Sequence, residues 1–266
     1  MSPDFIISKI QEVFNGFNDT LNDAIKLITQ SPQSNPELWG VVDNVQSIVL
    51  SVAFTLAVLY FFIDFLNKSV MLEYMRWENV VKSLLKLLVC KEILTHTMDL
   101  MLGIFRAVAE IITQLGVDGA VTIPNLNYDA MKSSMDGMNL FSRLGMYINM
   151  QPVVFLIMLA GLIIQLIVFG RMIQVCVYTA FAPIPLASLA GEGFQGSAKR
   201  FIKKYVGVCF QGAVMILALG LYGATIKGQI AEIGTFAGLS KILLMTLVLL
   251  FLLVKSGDWS NQIIGD

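Results

Sequence analysis

The chain reads as an all-α, polytopic integral membrane protein with about five transmembrane helices and an N-terminal amphipathic helix. Three observations predict this class. Of the 266 residues, 56% are hydrophobic and only 14% are charged, against roughly 25% charged in ordinary soluble domains. The mean hydropathy is +0.73. Several uncharged runs approach the ~20 residues needed to cross ~30 Å of hydrocarbon. So little charge cannot keep a soluble surface wetted, which excludes a cytosolic two-domain enzyme, a secreted disulfide scaffold and a disordered tail. With 18 basic and 19 acidic residues the net charge is −1, so no bulk basic field points to tight nucleic-acid binding.

Residues 1–36 form the first region, an amphipathic helix and a linker. Ile6, Ile10, Val13, Phe17, Leu21, Ala24 and Ile28 recur at helical spacing, which gathers them on one face. Asp4, Lys9, Glu12, Asp19, Asp23 and Lys26 interrupt the run, so this helix is expected to lie on the membrane or pack on a partner. Asp4 and Lys9 also stand where a cleavable signal peptide would need its apolar core. The stretch from Gln30 to Pro36 is a linker by its Ser, Asn and Pro content.

Residues 37–266 form a transmembrane helical domain, with spans expected at about 45–63, 84–113, 152–182, 205–226 and 237–254. The second is unusually charged, and a helical hairpin at the interface competes with it. The third is too long for one upright crossing and is expected to tilt or project beyond the bilayer, until Pro183 breaks it. Between the second and third, residues 116–137 are polar and turn-rich. Counting Lys and Arg per loop gives ten on one side (64–91, 191–206 and the C-terminal tail) against six on the other. The positive-inside rule then places the N-terminus outside and the C-terminus in the cytoplasm.

The best-defined polar feature lies on the second span. Glu92, Asp99 and Arg106 are spaced by seven, and His96 and Glu110 each follow a member of that set by four. At 100° per residue all five fall within an arc of about 80°. Ionisable groups at membrane depth face protein or water, so the stripe borders a hydrated path, is paired internally, or belongs to an interfacial helix. Arg171 is the other intramembrane charge, placed either to snorkel or to form an inter-helix or inter-subunit salt bridge. Pro183 and Pro185 break a helix near the cytoplasmic surface, ending it or lining a pathway.

Gly191, Gly193 and Gly196 match G-x-G-x-x-G, but a long apolar helix precedes them where dinucleotide binding needs a strand. The basic segment after them, with Lys199, Arg200, Lys203 and Lys204, reads as a positive-inside anchor or as a dock for an acidic partner or DNA. In the fourth span Gly212, Gly220 and Ala224 are small and suit close helix packing or oligomerisation. One histidine excludes a multi-histidine metal site, and Cys90, Cys176 and Cys209 sit in apolar stretches without ligand spacing. No catalytic residue, metal or cofactor is expected.

Two segments carry a resemblance. One is the arginine-bearing helix with its proline break (IVFGRMIQVCVYTAFAPIPLASLAG); the other is the basic segment with the span after it (FQGSAKRFIKKYVGVCFQGAVMILALGLYG). Together, over roughly residues 150–225, they resemble the TrbL-like family of conjugal transfer proteins, the VirB-six-type polytopic subunit of type IV secretion systems, as found in Gram-positive conjugative elements. Arg76-Trp77-Glu78-Asn79 fits more loosely. The resemblance implies a multi-pass subunit of a DNA-transfer channel in the cytoplasmic membrane. It would oligomerise with itself and assemble with other secretion subunits, including the secretion ATPases, among membrane lipid and in transient contact with translocating DNA. Two other classes fit the same residues: a secondary transporter or ion channel using the intramembrane charges, and a structural anchor whose N-terminal helix recruits partners.

Overall fold

A computed structural model describes residues 2–70, 77–114, 132–133, 136–137, 139–227 and 236–265. Among these the regular structure is helical, with no strand, which bears out the all-α class. Helix α1 spans Pro3–Thr29, α2 Pro36–Val70, α3 Trp77–Thr95, α4 Thr97–Gln114, α5 Leu140–Phe181, α6 Pro183–Leu186, α7 Gln195–Lys227 and α8 Phe236–Ile264. Short 3₁₀ turns occupy Pro32–Ser34 and Ala187–Ala190. The polar stretch 116–131 and Arg76 lie outside the described residues.

Among the described residues, four helices, α2, α5, α7 and α8, are long and apolar enough to cross a membrane. The expected span at 84–113 is not among them. It is divided at His96 between α3 and α4, and Lys86, Lys91, Glu92, Asp99, Arg106 and Glu110 keep it from being a purely apolar run.

The chain divides into two compact units. The first comprises Met1–Thr29, Ile112–Gly170 and Gln211–Trp259; the second comprises Gln30–Ile111, Arg171–Phe210 and Ser260–Asp266.

In the first unit, α1 buries Ile6, Ile10, Phe14, Phe17, Leu21, Ala24 and Ile28 and runs parallel to the opening half of α5. The Phe5 and Tyr147 ring centroids lie 6.4 Å apart. Further along, Phe17 and Thr20 pack against Gly161, where an added Cβ would sit 3.5 Å from each. The apolar face of α1 therefore finds its partner within the chain. Helices α7 and α8 pair antiparallel: Gln211 Nε2 donates to Ser256 Oγ at 3.0 Å, and the Tyr222 and Thr246 hydroxyls meet at 2.9 Å. Such pairs, the first half-buried and the second buried, matter because an unmet donor in an apolar setting is costly.

In the second unit, α2 starts where Asn35 caps it. Its Oδ1 accepts from the Leu38 backbone N–H at 3.2 Å, and Pro36 has no N–H to leave unmet at the first helical position. Val42, Gln46, Val49, Ala53, Ala57, Phe61 and Asp64 form its buried face. Val42 packs on Cys176 and Ala180 of α5, with Leu38, Trp39, Val45 and Met98 around them. Helix α5 ends at Phe181 because Pro183 lacks an N–H and its ring crowds the carbonyl four residues back.

Candidate functional site

The backbone ladder continues through the break between α3 and α4: the His96 N–H donates to the Glu92 carbonyl and the Leu100 N–H to the His96 carbonyl, each at 3.0 Å. The two helices therefore keep one register. Cys90, Leu94, Thr97, Met101, Phe105 and Val108 are buried along one side, at steps of three and four. At 100° per residue, Glu92, His96, Asp99, Arg106 and Glu110 centre about 180° away from that face, and all five are exposed. His96 stands between two carboxylates, its Nε2 3.9 Å from Glu92 and its Nδ1 3.5 Å from Asp99. Arg106 Nη2 donates to Gln33 Oε1 at 3.3 Å, tying the stripe to the turn before α2. Each such charge costs roughly 2.5 kcal/mol or more in hydrocarbon, so this side cannot be turned to lipid.

Arg171 sits elsewhere. It is only 4% exposed; its Nε donates to the Val208 carbonyl at 3.2 Å and its Nη2 to the Cys209 carbonyl at 2.9 Å. The guanidinium clamps α5 to α7 and neither snorkels nor faces an exposed surface. Tyr205, fully buried, completes this junction: its hydroxyl donates to the Met101 carbonyl at 3.0 Å and lies 3.3 Å from the Thr179 hydroxyl. One phenol thus joins α4, α5 and α7.

After the Pro183–Pro185 break the chain turns through Ala187–Ala190 and reaches Gly191, where an added Cβ would stand 2.7 Å from the Tyr60 carbonyl oxygen. Gly193 follows with a φ of +87°, a conformation glycine adopts without penalty. These glycines serve a close approach to α2 and a tight turn, not a phosphate cradle. The Phe194 and Tyr60 rings pack in a tilted arrangement, with centroids 4.9 Å apart. Glu192 pairs with both Lys68, at 2.7 Å, and Lys86, while Lys68 also reaches Asp64 at 3.0 Å. This four-residue ion network pins the turn to α2 and α3. Sequence reasoning missed it, although the i, i+4 spacing of Asp64 and Lys68 was a local signal.

Lys199, Arg200, Lys203 and Lys204 are all exposed on the opening turns of α7, and Lys203 Nζ donates to the Gly265 carbonyl at 3.0 Å. Of the small residues on α7, Gly212 is buried, Gly220 half-buried and Ala224 exposed. Among the described residues, no group of three or more His, Cys, Asp or Glu side chains converges as a metal site would require.

A family model described as TrbL/VirB6 plasmid conjugal transfer like protein matches residues 17–183, more than half of the chain. The match takes in α2 to α5, and with them the exposed stripe, Arg171 and the start of the proline break. It overlaps the segment that carried the sequence resemblance only up to Pro183. No curated protein and no solved structure matches the chain. The chain belongs to the TrbL/VirB6 plasmid conjugal transfer-like family and is an all-α, multi-pass membrane component of a conjugal transfer system of the type IV secretion class.

Proposed function

We propose that this protein is a wall or scaffold subunit of the conjugation channel, helping DNA or a DNA–relaxase complex cross the cytoplasmic membrane. It acts beside other secretion subunits, including the secretion ATPases, and as a homo-oligomer; its work is structural and not chemical. The observation that carries this reading is the position of Glu92, His96, Asp99, Arg106 and Glu110, exposed and directly opposite the buried side of α3 and α4. A charged surface turned away from the chain's own core needs water or a polar partner, and a hydrated channel supplies both. The N-terminus is extracytoplasmic and the C-terminus cytoplasmic, with α3 and α4 together making a fifth crossing. Lys199, Arg200, Lys203 and Lys204 then meet anionic headgroups on the cytoplasmic side.

The test replaces Glu92, Asp99 and Arg106 together by Leu in the native host. Transfer is expected to fall by about tenfold or more, equivalent to ~1.4 kcal/mol or more on the limiting step, at an unchanged membrane level of the protein. Unaltered transfer at normal levels removes the stripe from the path.

A further inference from the structure

The outer face of α1 is as polar as its inner face is apolar. Glu12, Asn15, Asp19, Asp23 and Lys26 fall within an arc of about 80° at 100° per residue, opposite Phe14, Phe17 and Leu21. All five are exposed. Lys9 Nζ holds Glu12 at 2.6 Å and Lys26 Nζ holds Asp23 at 3.3 Å.

This charged face is carried alongside the apolar part of α5. Phe17 and Thr20 lie against Gly161, midway along 153–170, a stretch without a charged residue. Phe155, Leu166 and Phe169 are exposed on α5 as a lipid-facing side would be. Gln165, the one polar side chain in 153–170, shares a groove of about 440 Å³ with Glu12 and Thr20. The polar groups of the two helices thus meet on the side where α1 sits. If α5 crosses the membrane, α1 brings three carboxylates and an ammonium to membrane depth, where lipid cannot solvate them.

We propose that the outer face of α1 borders water inside the membrane and forms part of the wall of an aqueous passage closed by further copies of this chain. One helix is only ~10–12 Å wide, and α1 lays its other face against its own unit, so one copy cannot enclose the passage. This assignment rests on the channel-subunit reading above, and its primary readout is thiol reactivity, with DNA transfer serving only to separate the two.

The test places single cysteines at Asn15, Asp19 and Asp23 on α1, at Phe155 and Leu166 on α5, and at the exposed Ser197 as a reference. The full chain is used, with Cys90, Cys176 and Cys209 replaced by Ala, in native-host membranes that retain the transfer apparatus. The probe is a charged, membrane-impermeant thiol reagent applied to permeabilised membranes. The α1 cysteines are expected to react about as fast as Ser197→Cys and roughly tenfold or more faster than those on α5, since hydrocarbon excludes a charged reagent. A thiol-to-thiol crosslinker at Asn15→Cys, a neutral-for-neutral change, is expected to give covalent multimers of this chain. Slow reaction at all three α1 positions overturns the proposal, as does equally fast reaction on α5 or an absence of multimers. A negative result here, with transfer still dependent on the gene, removes α1 from the passage and leaves the channel-subunit reading standing. Loss of that dependence removes the reading itself.

Discussion

Gly191 shows how little room the turn after α6 leaves. Gly191→Ala forces a methyl toward the Tyr60 carbonyl, and overpacking of this kind costs ~1–3 kcal/mol. Gly196→Ala, where a Cβ meets open space, is expected to stay within about 0.5 kcal/mol of wild type. Thermal unfolding in detergent separates the two; equal melting temperatures contradict the close approach. Arg171 offers a second contrast. Arg171→Ala gives up both carbonyl contacts on α7 and is expected to lower stability by ~2–3 kcal/mol. Arg171→Lys keeps the charge without the planar fork and recovers only part of that loss. If Arg171→Ala melts like wild type, the clamp is not structural. That Arg171 is exceptional was legible in the sequence, because one charge stands in a long apolar run. Its bonding was not, since nothing local says that the backbone of Val208 and Cys209 lies beside it. For the same reason Tyr205 passed as an ordinary residue at the edge of a span.

At the scale of elements, periodicity was the reliable guide. The apolar face of α1 is the one that steps of three and four select, and the polar stripe of α3 and α4 keeps its register across the break at His96. What periodicity cannot supply is the partner: α1 read as a helix for the membrane surface or another protein, and it packs on α5 instead. Phe17→Asp drives a carboxylate into that contact and is expected to cost about 2–4 kcal/mol. Limited proteolysis then cuts the linker 30–36 sooner than in wild type. Asp19→Asn, on the exposed face, leaves the digestion pattern unchanged. If Phe17→Asp resists protease as wild type does, the packing of α1 on α5 is wrong. The G-x-G-x-x-G spacing teaches the complementary lesson. Its meaning is set by Tyr60, which lies far away in the chain and approaches Gly191 only after folding.

For the whole molecule, composition decided the class, because 14% charged residues cannot cover a soluble fold of this size. The number of crossings is harder to read. Among the described residues four helices are long and apolar enough to cross, while α3 and α4 carry the charged stripe from Glu92 onward, preceded on the same arc by the exposed Leu85 and Leu88, with Leu84 and Leu100 exposed beside it. Five crossings from the proposed extracytoplasmic N-terminus would put the lysine-rich stretch 64–91 in the cytoplasm, as the positive-inside rule favours. Alkaline phosphatase fused after residue 70 is therefore expected to be inactive, and after residue 133 active. Equal activity at the two sites means that α3 and α4 do not cross.

The most direct test of the central claim is the transfer frequency of the native conjugative element carrying an in-frame deletion of this gene, with and without the intact gene supplied in trans. Loss of transfer, restored by the intact gene, is the expected result. Transfer unchanged by the deletion would contradict a role in the conjugation apparatus.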